Sequence, residues 1–292
     1  MKKIIVISGP TASGKTKYAV EFCKKNNGEI ISADSRQIYK YLDVGTNKEG
    51  QAGSGKQQGV SRNINNIAQY LTDIINPDKT YSAADFAKDA DLKIKQISDS
   101  GKLPVIVGGT GLYIKALLYG LDNMPKADEK LREKLKNYSA DELYRELLKL
   151  DPAAAEKNKK NPQRLLRALE INILSGKKVE EHIKPKSARY NFKHYTILIP
   201  NKTLYERINS RCAQMLKNGM IEETQKVLDM GFAANAPALS GIGYRNVIKY
   251  LNKEFSKTEL LEEFSKDTRH YAKRQNTWFK AQPDTEILEL PK

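Results

Sequence analysis

Apolar residues open the chain in an unbroken run, Ile4 to Ile7, and a glycine-rich stretch follows at once. A run that short, with no polar alternation, predicts a strand buried on both faces, as strands of a parallel sheet are. Similar runs recur at Glu29 to Ala33, at Leu103 to Val107 ahead of Gly108-Gly109, and at His194 to Ile199. Lys17 to Asn26 reads as a helix with Tyr18, Ala19 and Phe22 on one side and Gly28 past its end. Strands alternating with helices predict an α/β fold, a P-loop NTPase-like parallel sheet flanked by helices. Beyond Gly120 the pattern changes: Asp128 to Leu174 has helical periodicity, dense lysine and glutamate, and no strand-like segment. The expected organisation is therefore an α/β core begun by residues 1–120, an all-helical insertion domain over 121–190, and a return to the core over 191–292. That last part carries helices near Leu204 to Gly219, Ile221 to Met230, Gly243 to Leu251 and Leu260 to Lys280. GQAGSGKQQG, Gly50 to Gly59, is too polar and glycine-rich to pack and predicts a mobile loop.

Composition narrows the class. No apolar run approaches the roughly 18 residues of a membrane span, and the first one is too short for a secretory signal, so no membrane is expected and a cytoplasmic location is. Cys23 and Cys212 are far apart without metal-ligand spacing, and His182, His194 and His270 are scattered, so neither a disulfide framework nor a zinc site is implied. The formal net charge of +15 favours an anionic partner such as nucleic acid. A lysine-rich surface that keeps the protein soluble is the plainer alternative.

Five segments carry candidate chemistry. GPTASGKT, comprising Gly9, Pro10, Thr11, Ala12, Ser13, Gly14, Lys15 and Thr16, matches G-x-x-x-x-G-K-[ST] between a buried strand and a helix. Its backbone amides and the helix N-terminus cradle phosphate, Lys15 adds a point charge, and the Thr16 hydroxyl suits a magnesium ion. The motif specifies phosphate, not which phosphate. DSRQIY places Asp34 at the carboxyl edge of the second strand, as a base, a metal partner through water, or a helix cap. GGTGLY places Thr110 at the same edge, beside the crevice or as a simple helix-start turn. Further on, Arg164 and Arg167 lie one helical turn apart, as phosphate contacts or a solvated face. In the last helix Lys266, Arg269, His270, Lys273 and Lys280 fall on one side, with Arg274 at the margin, and Phe264, Tyr271, Trp278 and Phe279 on the other. That is a phosphate-tracking surface or a basic helix packed at an edge.

Taken in order, GPTASGKT, DSRQIY, NPDKTYSAADF, VGGTGLYIKALLYG, NPQRLLRALEI, GIGYR and TRHYAKRQNTWF resemble the bacterial tRNA dimethylallyltransferases over nearly the whole chain. The resemblance implies transfer of a dimethylallyl group from dimethylallyl diphosphate to the exocyclic amine of the adenosine 3′ of the anticodon. It assigns Thr11 to Thr16 to the diphosphate, Thr16 to Mg2+, Asp34 to the adenine amine and Thr110 to the reacting centre. Catalysis is thus expected of Asp34, Lys15, Thr16 and Thr110, the last acting beside the base. The anticodon stem-loop is assigned Ser35, Arg36, Gln37, Arg132 (or diphosphate), Gln163, Arg164, Arg167, Gly243, Tyr244, Arg245, Lys273, Arg274, Gln275, Trp278 and Lys280. One RNA and one donor per chain imply a monomer. The chain departs from the family where a Pro-His-His segment precedes the Asp-Pro turn, reading VSRNINNIAQYLTDIINP instead. A relative that prenylates free adenine nucleotides, or a P-loop small-molecule kinase, would share the first motif without needing the basic helix.

Overall fold

Among the described residues eight strands form one sheet: β1 (Lys3–Ser8), β2 (Gly28–Ser32), β3 (Gln51–Ala52), β4 (Arg62–Ile64), β5 (Ile67–Tyr70), β6 (Leu103–Gly108), β7 (Asn191–Ile197) and β8 (Thr285–Leu288). Their order in this computed structural model, which describes residues 2–52, 59 and 61–288, is β3-β4-β5-β2-β6-β1-β7-β8. From β5 to β8 every pairing is parallel, while β3 and β4 add an antiparallel margin. The apolar runs are explained by two covered faces. Ile4, Val6, Ile31 and Ile106 pack on one side with Phe86 and Ile94 of α2 (Ala83–Asp99) and Ile114 and Leu117 of α3 (Gly111–Tyr119). Ile5, Ile7, Ile30, Val105 and Val107 pack on the other with Ala19, Val20 and Cys23 of α1 (Lys15–Asn26). Alternate residues of one strand thus enter different cores, which is why no polar position interrupts them.

The β4–β5 hairpin lies in the segment that departs from the family pattern, and periodicity missed it. Asn65 and Asn66, with φ of 51° and 69°, make the tight two-residue turn between Ile64 and Ile67. An Asn-Asn pair flanked by isoleucines was the available signal. Gln51 and Ala52 pair with Asn63 and Arg62, so the start of the expected loop is an edge strand; residues 53–58 lie outside the described residues. β8 also went unread, because TEIL alone is too short to separate from a turn.

The chain divides into two units, one of Met1–Tyr119 and Ala188–Lys292, the other Gly120–Ser187. The second unit holds α4 (Glu129–Leu135), α5 (Ala140–Leu150), α6 (Pro152–Asn158) and α7 (Pro162–Ser175). Ser139 and Glu142 form a capping box on α5, while Asp151 and Asn161 cap α6 and α7 with proline at the first turn. Leu143, Leu147, Ala155, Leu165 and Leu169 make its own core. In the first unit α8 (Asn201–Lys217), α9 (Met220–Asp229), α10 (Tyr244–Leu251) and α11 (Lys257–Lys280) enclose Ile38, Tyr39 and Leu42 of the segment after β2.

Glu170 organises the second unit electrostatically. Its fully buried carboxylate accepts from Arg132 Nε at 2.9 Å and Nη2 at 3.0 Å, from Arg167 Nη1 and from the Asp128 amide. Burial pushes its pKa up, but the two guanidiniums outweigh burial and hold it below the usual range. Such a carboxylate contributes stability above its unfolded pKa, and the contribution is lost as pH falls through the lower native value. Glu170→Ala should therefore lower the unfolding free energy by about 2 kcal/mol at neutral pH, with the gap to wild type closing in acid, as read by urea denaturation.

Candidate active site

The carboxyl ends of β1, β6 and β2 meet at one edge, and each delivers a loop there. Ser8 pairs with Gly108, and Ser32 with Val107. The ladder continues past the strands, with the Ala33 amide donating to the Val107 carbonyl at 2.8 Å and the Thr110 amide to the Ala33 carbonyl at 3.2 Å. A cavity of about 310 Å³ opens above this edge, lined by Thr11, Ala12, Gly14, Lys15 and Thr16 together with Asp34. The phosphate loop and the acidic residue that the sequence singled out are thus in one chamber. Gly9, Pro10 and Ser13 are not among the lining residues, and the buried Ser13 hydroxyl has no partner among the described residues.

Asp34 is not a helix cap. One carboxylate oxygen accepts from the Arg36 amide at 2.8 Å, closing a turn two residues on. Thr110 does not cap its own helix with its side chain either: its hydroxyl accepts from the Ser35 amide at 3.0 Å and lies 3.3 Å from the Ser35 hydroxyl. Thr110 therefore fixes the residue next to Asp34.

The charge in the cavity is concentrated and partly dehydrated. Lys15 Nζ donates to the Pro10 carbonyl at 3.2 Å, and burial lowers its pKa to about 8, with Asp34 pulling it back up and Arg211 pushing it down. Arg211 and Arg207, one turn apart on α8, line the same cavity and were missed by motif reading. The signal was present as Arg-x-x-x-Arg on the helix that follows β7. Burial lowers Arg211 too, while Asp34 and Glu49 oppose it. Tyr271 of α11 was read only as an apolar anchor, yet burial and then the Asp34 charge push its hydroxyl up to about 12. Gln69, at 6% exposure, also lines the cavity, and its side-chain carbonyl has no partner among the described residues.

The residues expected to meet tRNA divide into two groups. Lys273, Arg274 and Lys280 of α11 are exposed, as are Gln163 and Arg164 of α7. Arg245 is exposed and paired with Asp267 at 2.8 Å, and Arg36 donates to the Pro237 carbonyl at 2.9 Å. The others are turned to internal work. Tyr244, 1% exposed, donates to Glu223, which also accepts from the amides of Asp43, Val44 and Gly45. Gly243 is buried against Met220 and Phe264. Gln37 accepts from Ser32 and donates to the carbonyls of Thr46 and Asn47, so it holds a cavity wall. Arg132, itself exposed, and the half-buried Arg167 are both bound to Glu170, Gln275 is buried, and Trp278 packs edge-on against Phe279. Helical periodicity alone does not separate these groups, because a polar side chain with an internal partner is as well placed inside as out.

Residues 37–282 match the family model for IPP transferase. The chain belongs to the IPP transferase family. It is 70% identical over 285 residues to a tRNA dimethylallyltransferase of Endomicrobium trichonymphae, covering 98% of this chain and 94% of that one. It is 41% identical to a tRNA dimethylallyltransferase of Thermoanaerobacter sp. (strain X514), covering 95% and 89%. Among solved structures, the full-length tRNA isopentenylpyrophosphate transferase of Bacillus halodurans matches with a TM-score of 0.71 and 34% identity over 99% of this chain and 90% of that one. A eukaryotic dimethylallyltransferase acting on tRNA matches with a TM-score of 0.79 and 26% identity, over 99% and 74%. For this family member the long coverage means that core, insert and basic helix all have counterparts. Among the described residues no helix is long and apolar enough to cross a membrane.

Two outcomes test the electrostatics. Because diphosphate favours charged Lys15, binding should take up a proton above about pH 8. The calorimetric affinity for inorganic diphosphate, relative to Lys15→Arg, should then fall by up to about tenfold per pH unit above that value. Arg211→Ala should weaken diphosphate binding by about tenfold or more in the same measurement.

Proposed function

We propose that this chain transfers a dimethylallyl group from dimethylallyl diphosphate to the exocyclic amine of the adenosine 3′-adjacent to the anticodon in tRNA, releasing diphosphate. The observation that carries the reading is that Asp34 and the Lys15 loop line one cavity. A leaving diphosphate needs positive charge where its negative charge grows, and Lys15, Arg211 and the loop amides supply it. An attacking amine needs a proton acceptor, and the Asp34 oxygen left over from the Arg36 turn is in position to be one. As the carbon–oxygen bond to diphosphate breaks, the amine nitrogen bonds to the same carbon and its proton passes to Asp34.

The donor set fits a hard cation. Thr16 offers a hydroxyl and Asp34 and Glu49 offer carboxylates, while no group of three or more His, Cys, Asp or Glu able to hold a metal occurs among the described residues. That suits Mg2+, which keeps several waters and binds largely through substrate phosphates. When bound, it would neutralise charge on the diphosphate, with Thr16 as its protein ligand.

On the RNA side, an amine on a stacked base is reached by extracting the base, and anticodon loops are single-stranded. Lys273, Arg274 and Lys280 on the core unit, and Gln163 and Arg164 on the helical unit, are the exposed groups that suit flanking phosphates. A cytoplasmic, monomeric enzyme follows from the same reading, since the substrate is a single soluble RNA.

Labelled dimethylallyl diphosphate, magnesium and unmodified tRNA with adenosine 3′ of the anticodon should give labelled RNA. Transfer to AMP instead, or phosphorylation from ATP, would overturn the reading. Asp34→Asn should cut turnover by about 10² to 10⁴-fold and leave tRNA affinity within about twofold, measured by single-turnover transfer and filter binding.

A further inference from the structure

We propose that Gln275 is a positioning residue: from α11 it holds the diphosphate loop and the Thr110 turn in register, and so sets the leaving group against the acceptor base. The proposal rests on the reaction proposed above, but its geometry is independent of it. Gln275 lies on the same helix as the exposed Lys273 and Arg274, yet points inward at 7% exposure. Its Oε1 accepts from the Thr11 amide at 2.9 Å, and its Nε2 donates to the Gly109 carbonyl at 2.8 Å. One carboxamide therefore ties together loops that leave different strands.

The fit around it is close. A Cβ at Gly109 would lie 2.4 Å from Gln275 Nε2, and one at Gly111 would lie 2.4 Å from the Trp278 ring. The two glycines let α11 settle directly on the turn that carries Thr110. Thr110 in turn accepts from the Ser35 amide, next to Asp34. Any displacement of α11 is consequently felt at Thr11 on the donor side and at Ser35 on the acceptor side. Of similar side chains, only glutamine has this reach with both a donor and an acceptor: glutamate lacks the donor and methionine lacks both.

Gln275→Met keeps length and removes both hydrogen bonds. It should weaken binding of inorganic diphosphate with magnesium by about tenfold, through the amide and carbonyl left unpaired. It should also slow single-turnover transfer by about 30-fold or more, with tRNA affinity and its salt dependence unchanged within about twofold. Lys273→Ala should do the opposite, weakening tRNA binding and flattening its salt dependence with diphosphate affinity intact. Gln275→Glu keeps the acceptor for Thr11 but loses the donor to Gly109, so it should slow single-turnover transfer by about threefold or more with tRNA affinity unchanged, which decides the matter if Gln275→Met does not fold. Loss of tRNA affinity with diphosphate affinity intact, or wild-type diphosphate affinity and transfer rate in Gln275→Met, would overturn the proposal. If wild type prenylates no tRNA, the functional reading falls, while diphosphate affinity in Gln275→Met still decides the link to Thr11.

Discussion

The parallel register of β2, β6 and β1 is the constraint from which the site follows. Because Ser32 pairs with Val107 and Ser8 with Gly108, three chain segments leave the sheet at one level and in one direction. Their loops then share one space without any further device, which is the general property of carboxyl edges in such sheets. The backbone bonds from Ala33 to Val107 and from Thr110 to Ala33 extend that register one step beyond the strands. A slip of one residue would turn Ile5 and Ile7 into the opposite core and separate Asp34 from Lys15.

Charge is the cost of this convergence. Lys15 and Arg211 line one cavity, and burial works against the protonated form of both. Asp34 offsets part of that penalty for both. The walls that keep the cavity in shape are held from outside. Glu223 gathers the amides of Asp43 to Gly45, and Lys48, with its side chain fully buried, joins Asp43 to Asp73.

Much of this was legible in the residues. The phosphate loop, Asp34 and Thr110 are local signals, each a short string at the end of an apolar run, and the structure brings the ends of those runs together. The exposed half of α11 was legible for the same reason, since a helix period sorts side chains by direction. Its limits are equally physical. Gln275, Gln37 and Tyr244 are polar, and a polar residue reads as outward-facing unless its partner is known; their partners lie at Thr11 and Gly109, at Thr46 and Asn47, and at Glu223.

By itself, then, the sequence determined what is local: the buried strands, the caps and turns, the glycine-rich loop after the first strand, and the basic face of the last helix. Local conformation and burial preference act over a few residues, so a few residues suffice to report them. Only the tertiary structure decided which side chains share the cavity and which hold it in place. Arg211 lines the same cavity as Lys15 from 196 positions away along the chain, and Gln275 bonds to Thr11 from 264. Contacts across such separations depend on sheet order and helix packing, which no short string of residues encodes.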